Sequence, residues 1–81
     1  MPTFYFDIRG DGSFFEDEEG SEHLDVDSAE REAAEVAAAI GRERLPEQRA
    51  GSVIVEVRNE HGSRVLTATV SIHVDRREPP G

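Results

Sequence analysis

The clearest pattern in the chain predicts one amphipathic helix between Asp25 and Pro46. Apolar residues in this segment recur at spacings of three and four, and such positions share one face of a helix with 3.6 residues per turn. Asp25 and Asp27 are alternative N-caps, and the helix should stop at Pro46 because the residue before a proline avoids helical backbone angles. The predicted buried stripe consists of Val26, Ala29, Ala33, Val36 and Ile40.

Four other segments are predicted to be strands. Three of them alternate apolar and polar residues with a period of two, which is typical of half-buried strands. The fourth is short and follows a glycine-containing turn, so it should form a hairpin with the first. These segments are Phe4–Ile8, the pair Phe14 and Phe15, Val53–Val57 and Leu66–Ile72.

The order of these elements is ββαββ, which predicts an α+β fold. A right-handed crossover through the helix gives a four-stranded, mainly antiparallel sheet of order 2-1-3-4, with the helix packed on one face. We expect residues 1–74 to form a single domain, since 81 residues leave room for one modest core. Residues 75–81 should form a disordered C-terminal tail, rich in charge and proline.

The second face of the predicted sheet has no helix to cover it. Such a mixture of aromatic, β-branched and charged side chains is typical of a solvated face or of a self-complementary dimer surface. Asp7 and Val65 should point to this face as well. The candidate binding residues on it are Tyr5, Arg9, Ile54, Glu56, Arg58, Thr67 and Thr69.

Composition excludes several classes of function. The net charge of −9 argues against binding to nucleic acids or to anionic membranes, since both require a cationic surface. The chain has no cysteine, so it has no disulfide, thiolate metal site or cysteine nucleophile. No apolar run approaches the roughly 20 residues of a membrane span, and the N-terminus does not resemble a signal peptide. We therefore expect a cytoplasmic protein.

Motifs for metals and cofactors are incomplete. The spacing of Asp7, Asp11, Gly12 and Glu18 partly matches a calcium-binding EF-hand loop, but Arg9 stands where a ligand belongs. His23, His61 and His73 lack the spacing that places two metal ligands on one face, so we interpret them as solvated surface residues. The sequence therefore predicts no metal site and no cofactor.

Two functions remain after these exclusions. The first is a non-enzymatic protein–protein interaction domain, which would use the open sheet face or an edge strand and could form a homodimer. The alternative is a small enzyme of the tautomerase type, in which removal of Met1 exposes the Pro2 amine as a base and Arg9 binds a substrate carboxylate. One proline and one arginine are few residues for an active site, so the sequence favours the first function, in which the domain binds a protein partner or a second copy of itself.

Four features of the chain occur together in this order: the opening Met1-Pro2-x-Phe4-x-Phe6, a Gly/Asp turn, the spacing Asp17-x-x-Gly20-x-Glu22 and an Ala/Glu/Arg helix shortly afterwards. In these features the chain resembles a family of short alphaproteobacterial proteins of unknown function. The resemblance extends from Met1 to about Val70, and His23 departs from the residues expected before Leu24. It implies a small cytoplasmic α+β domain of bacteria and carries over no catalytic residue.

Overall fold

A computed structural model describes residues 1–10, 12–48 and 50–79 of the chain. It has one helix and a mostly antiparallel sheet, which confirms the predicted α+β class. Residues 74–79 form neither helix nor strand. In chain order the elements are β1 (Thr3–Gly10), β2 (Ser13–Phe15), β3 (Ser21–Glu22), α1 (Val26–Gln48), β4 (Ala50–Arg58) and β5 (Arg64–His73).

The sheet has the order β2-β1-β4-β5. The prediction 2-1-3-4 describes the same arrangement, because it did not count the two-residue strand β3. Both β2 and β3 pair antiparallel with the same outer edge of β1, β2 at the end of β1 and β3 at its beginning. The long strand β5 pairs with β4 and forms the opposite edge of the sheet.

The hydrophobic core lies between the helix and strands β1, β4 and β5. Val55 and Val57 on β4 are fully buried, and Val53 is 3% exposed, as their period-two pattern predicts. Opposite them lie three fully buried alanines of α1, Ala29, Ala33 and Ala37, whose small side chains allow the helix to approach the sheet closely. Each buried valine contributes on the order of 1.5–3 kcal/mol relative to leaving it exposed.

Helix α1 lies over β4 and β5 rather than over the middle of the sheet. Its Gly41 faces β5, where a Cβ atom would lie 2.9 Å from Val70 Cγ1. The helix side of β1 is instead flanked by His23, whose ring meets those of Phe4 and Phe6 edge-on at 6.1 and 5.3 Å between centroids. His23 is therefore half-buried, and the prediction that it is a solvated surface residue is wrong.

The helix begins as predicted, but its buried stripe and its C-terminal end differ from the prediction. Asp25 is the N-cap, since its Oδ1 accepts a hydrogen bond from the Ser28 N–H at 2.9 Å. Val26 was predicted to be buried but is 45% exposed, and the buried stripe continues instead to Leu45. The helix passes through Pro46 and ends at Gln48. Burial of Leu45 stabilises this last turn against the loss of one backbone hydrogen bond.

Two strand details also differ from the prediction. Strand β4 begins at Ala50 rather than at Val53, because pairing with β5 continues to His73. A bulge shifts the register between Val57 and Arg58, so that Val65 has no direct partner and packs against the core instead of joining the open face.

Candidate functional site

A buried carboxylate lies on the sheet face that α1 does not cover. Asp7 is only 4% exposed, while its neighbours Tyr5, Glu56 and Arg58 on this face are half-buried. Arg58 on the adjacent strand donates two hydrogen bonds to it, from Nε to Oδ2 at 2.6 Å and from Nη2 to Oδ1 at 3.1 Å. The guanidinium also lies 4.9 Å above the Tyr5 ring. Together the three residues form the Tyr5–Asp7–Arg58 cluster.

The Asp17 side chain closes a gap in the hydrogen bonding of the β1 edge. Between β2 and β3, its Oδ2 accepts a hydrogen bond from the Phe6 N–H at 3.0 Å, in place of a strand carbonyl. Its Oδ1 accepts from the N–H groups of Glu19 and Gly20 at 3.1 and 3.0 Å. The Asp17 N–H donates to Asp7 Oδ1 at 3.0 Å, so the segment is tied to the cluster.

The ionisation of this network follows from its hydrogen bonds. The hydrogen bond from Arg58 lowers the pKa of Asp7 below the ordinary 3.8, against the opposing effect of burial. Burial raises the pKa of Asp17, but three backbone N–H donors outweigh it and the net pKa also lies below 3.8. The hydrogen bond to Asp7 raises the pKa of Arg58. Both carboxylates are therefore held in the charged form.

A second set of charges on the same face is more exposed. Glu56 accepts hydrogen bonds from Arg9 at 3.3 Å and from Arg64 at 2.8 Å, so it bridges β1 and β5. The Arg9 guanidinium lies 4.7 Å above the Phe14 ring. Most charged side chains predicted to bind a partner are thus engaged within the chain, and each exposed pair contributes about 0–1 kcal/mol.

Strand β5 is different beyond Arg64, because its next residues on this face, Thr67, Thr69 and Ser71, carry no charge. Thr67 and Thr69 are exposed, and no charged residue lies between Val65 and Ile72. Within the described residues, β5 pairs only with β4, so its outer edge presents unpaired backbone groups over a strand of 10 residues. The half-buried Ile54 lies beside Thr69 across the β4–β5 pair.

Two open clefts border the turn between β4 and β5. One, of about 510 Å³, lies beside Tyr5 and Arg58, and Glu16, Glu18 and Glu60 contribute carboxylates to it. The other, of about 420 Å³, is mostly apolar and includes Pro2. Pro2 and Arg9 lie at opposite ends of β1, and seven residues of extended strand span roughly 23 Å. The pair required by the enzymatic alternative is therefore not brought together.

The described part of the chain contains no group of three or more His, Cys, Asp or Glu side chains that could hold a metal ion. Of the partial EF-hand pattern, Asp11 lies outside the described residues, and Asp7 already binds Arg58. In residues 1–10, 12–48 and 50–79, no helix is long and apolar enough to cross a membrane.

Residues 3–71 match the family described as a domain of unknown function, DUF6894. This match covers most of the chain. The chain belongs to the DUF6894 family. No curated protein and no solved structure is significantly similar to it. The predicted resemblance to a family of unknown function is therefore confirmed at that level, and it assigns no activity to this DUF6894 domain.

Sequence reasoning missed the central role of the Asp7–Asp17 pair in this DUF6894 domain. Asp7 alternates with Phe6 and Ile8, so the sequence places it on the open face of the sheet. The acidic segment that covers Asp7 has no periodic pattern from which its fold could be predicted. One local signal was present: Asp17 followed by Gly20 is a spacing at which an Asp side chain accepts backbone N–H bonds in a turn.

Proposed function

We propose that this domain is a non-enzymatic, bacterial, cytoplasmic protein-interaction module, and that it forms a homodimer by pairing its β5 edge with that of a second copy. The observation that carries the proposal is the β5 edge itself, an unprotected strand of 10 residues with no charge from Val65 to Ile72. Such an edge is a template for adding another strand.

An antiparallel arrangement of two β5 strands suits a closed dimer. A two-fold axis perpendicular to the strands gives both copies the same contact, and the association stops at two copies because each copy uses its β5 edge. A register centred on Thr69 places Thr67 opposite Ser71 of the second copy on the open face. On the helix side it places Leu66 opposite Ile72 of the second copy. Hydroxyl groups thus meet hydroxyl groups, and apolar side chains meet apolar ones.

Much of the net charge of −9 lies away from the β5 edge. Six carboxylates and no arginine lie in residues 16–25, whose strand segment is at the opposite edge of the sheet. Three strand spacings of about 4.8 Å separate that edge from β5, roughly 14 Å in total. This exceeds the screening length of about 8–10 Å at physiological salt.

Sedimentation equilibrium at high micromolar concentration tests the proposal. We expect a monomer–dimer equilibrium for the wild-type chain. The variant Thr69→Lys should be monomeric, because in the centred register it places two like charges directly opposite each other. Thr69 is exposed, so the substitution leaves the core intact.

A pair of double variants tests the register with matched surface changes. Thr67→Lys with Ser71→Glu should retain the dimer, because each introduced ammonium lies opposite an introduced carboxylate of the second copy. Thr67→Lys with Ser71→Lys should be monomeric. A wild-type chain that is monomeric at every concentration, or two double variants with the same behaviour, would contradict the proposal.

A further inference from the structure

The cleft beside Pro2, here called the apolar cleft, is formed by segments that meet at one end of the sheet. They are the beginning of β1, the connection from β3 into α1, the turn between β4 and β5, and the start of β5. Its volume of about 420 Å³ and its mostly apolar lining are typical of a binding pocket. The apolar residues that line it are Pro2, Phe4, Leu24, Val26 and Val65.

The walls of the apolar cleft are open to solvent. Phe4 and Val65 belong to the packed core or lie against it, so they form the base of the cleft. Leu24 is 70% exposed and Val26 is 45% exposed. A residue directly before an N-cap, as Leu24 is before Asp25, commonly packs against the helix. Here it stays exposed, and two uncovered apolar side chains beside one cleft indicate a contact surface.

The charged groups of the apolar cleft are carboxylates. Asp25 and Glu60 line it, and no arginine is among the lining residues that the structure describes. The Asp25 carboxylate also caps α1, and Glu60 is exposed. A partner with basic side chains around its apolar contact is therefore favoured over an acidic partner. The other polar residues of the cleft are Thr3, Asn59 and His61.

A second cleft extends this charge. The cleft of about 510 Å³ beside Tyr5, here called the acidic cleft, adjoins the apolar cleft because residues 59–61 line both. Glu16 and Glu18 add carboxylates to it. Arg58 also lines it, but its charge is compensated by its two hydrogen bonds to the Asp7 carboxylate. The surface on both sides of the turn therefore attracts cations.

The turn that forms the common wall is fixed by its own hydrogen bonds. Asn59 Oδ1 accepts from the N–H groups of His61 at 2.9 Å and of Ser63 at 3.0 Å. The Gly62 N–H donates to the Asn59 carbonyl at 3.0 Å. Because this wall is ordered before a partner arrives, binding requires little additional ordering of the domain.

From the two adjoining clefts we propose that this end of the sheet binds a short segment of a partner protein, in which large apolar side chains are flanked by lysine or arginine. The apolar side chains lie against Leu24 and Val26, and the basic side chains face Glu60 and the acidic cleft. The site is separate from the outer edge of β5, so the inference goes beyond the proposed dimer.

The chain's own tail is less suited to the site than a partner segment. Val74 is followed by two arginines, but Arg76 pairs with Glu78 and Arg77 pairs with Asp75. The tail from Asp75 to Glu78 therefore carries no net charge. A second copy is accordingly a competing outcome of the test and not the proposed occupant.

A labelled peptide tests the proposal by fluorescence anisotropy with the full chain. The probe has roughly ten residues, which span about 33 Å when extended. It carries two central leucines, lysines on both sides and serine elsewhere. One control replaces the lysines with glutamate, and the other replaces the leucines with serine. We expect the probe to bind, more weakly at high salt, and each control to bind at least about tenfold more weakly.

Two matched pairs of variants locate the site. Val26→Ser should weaken probe binding about fivefold, whereas Val74→Ser, the same change at a residue 51% exposed in the tail, should alter it less than about twofold. Glu60→Gln should weaken binding about threefold at low salt. Glu43→Gln, at an exposed carboxylate that lines neither cleft, should leave it unchanged.

Amide NMR shifts separate this site from the dimer contact. On addition of the probe they should change in residues 24–26 and 59–62, in the wild type and equally in Thr69→Lys. Because Thr69→Lys blocks the proposed β5 pairing, binding to this variant tests the clefts alone. A monomeric wild type that binds the probe would contradict the dimer and support the clefts, and a dimer that does not bind it would do the reverse.

Several results would overturn the proposal. These are no binding of the probe, equal binding of either control peptide, and equal effects of Val26→Ser and Val74→Ser. Shift changes confined to residues 67–72 would have the same meaning. A loss of self-association in Leu24→Ser would show that a second copy occupies the apolar cleft in place of a partner protein.

Discussion

The two edges of the sheet are built in opposite ways. At one edge, residues Ser13–Glu22, here called the acidic edge, cover β1 with two short strands and the Asp17 side chain. At the other, β5 continues for 10 residues and pairs with β4 alone among the described residues. Charge, interruption and shortness are the usual protections against edge-to-edge association. Only the acidic edge has them, and the difference indicates where association can occur.

The Tyr5–Asp7–Arg58 cluster belongs to the closure of the acidic edge. Arg58 Nη2 donates to the Asp17 backbone carbonyl at 3.1 Å as well as to Asp7, so the cluster fastens the acidic segment onto β1. A buried ion pair of this kind is weak evidence for net stability, but it becomes costly when one partner is removed. We therefore interpret the cluster as a structural feature that holds the acidic segment against β1, rather than as a binding site.

The largest expected effect comes from Val55→Asp, which should unfold the whole sheet and with it both edges. Val55 is fully buried on β4, the strand that joins the two halves of the sheet, and the introduced carboxylate would have no partner. We expect the chain to be unfolded at 25 °C by circular dichroism. A cooperative thermal transition in this variant would contradict the assignment of the core face.

Asp7→Ala should open the acidic edge and leave β5 in place. Removing the buried Asp7 carboxylate leaves the half-buried Arg58 with Glu16 at 3.8 Å and the Asp17 carbonyl as weaker partners, and we expect a loss of about 3 kcal/mol in the free energy of unfolding, measured by urea denaturation. Amide NMR shifts should change most at residues 16–20. Equal changes on β5 would show that the two edges are not independent.

Acid should act on the same edge more mildly, because protonation retains the side chains. Asp7 and Asp17 both have a pKa below 3.8 in the folded state, so the folded chain binds fewer protons than the unfolded chain at low pH. Their contribution is fully present above about pH 4 and is lost as the pH falls through the lowered pKa values. Urea titrations between pH 7 and pH 2 should show this loss in the wild type and a smaller one in Asp7→Asn.

The smallest effects should distinguish two glycines, one beside each edge. Gly20 and Gly62 both have a positive φ, of 72° and 82°. A Cβ atom on Gly20 would lie 2.8 Å from Thr3 Cγ2, whereas on Gly62 it would meet nothing within 4 Å. We expect Gly20→Ala to cost about 2–3 kcal/mol and Gly62→Ala about 1 kcal/mol in urea denaturation. Equal costs for the two variants would mean that the acidic segment shifts easily to make room for the added Cβ atom.

The regular elements could be predicted from the sequence because periodicity reports burial directly. Val53, Val55 and Val57 face the core as their alternation indicates, and the strand order follows from the single crossover. Predictions from local sequence were wrong where tertiary packing outweighed the local conformational preference. Burial of Leu45 carries the helix past Pro46, and the bulge beside Arg58 turns Val65 inward.

The candidate sites were less predictable, because they depend on contacts between distant residues. The burial of Asp7 depends on Arg58, which is 51 residues away in sequence, and on the irregular fold around Asp17. Phe15 on β2 is 57% exposed, while α1 packs on β4 and β5; periodicity does not report this lateral position of the helix. By contrast, Thr67 and Thr69 were placed correctly on an exposed strand, because alternation alone determines their side.

Amide hydrogen exchange of β5 at high and at low protein concentration tests the β5 edge most directly. Alternate amides of β5 point towards β4, and the others point outward. If two copies pair there, the outward amides should exchange slowly at high micromolar concentration and rapidly after dilution, while those bonded to β4 stay protected throughout. Outward amides that exchange rapidly at every concentration would contradict the account.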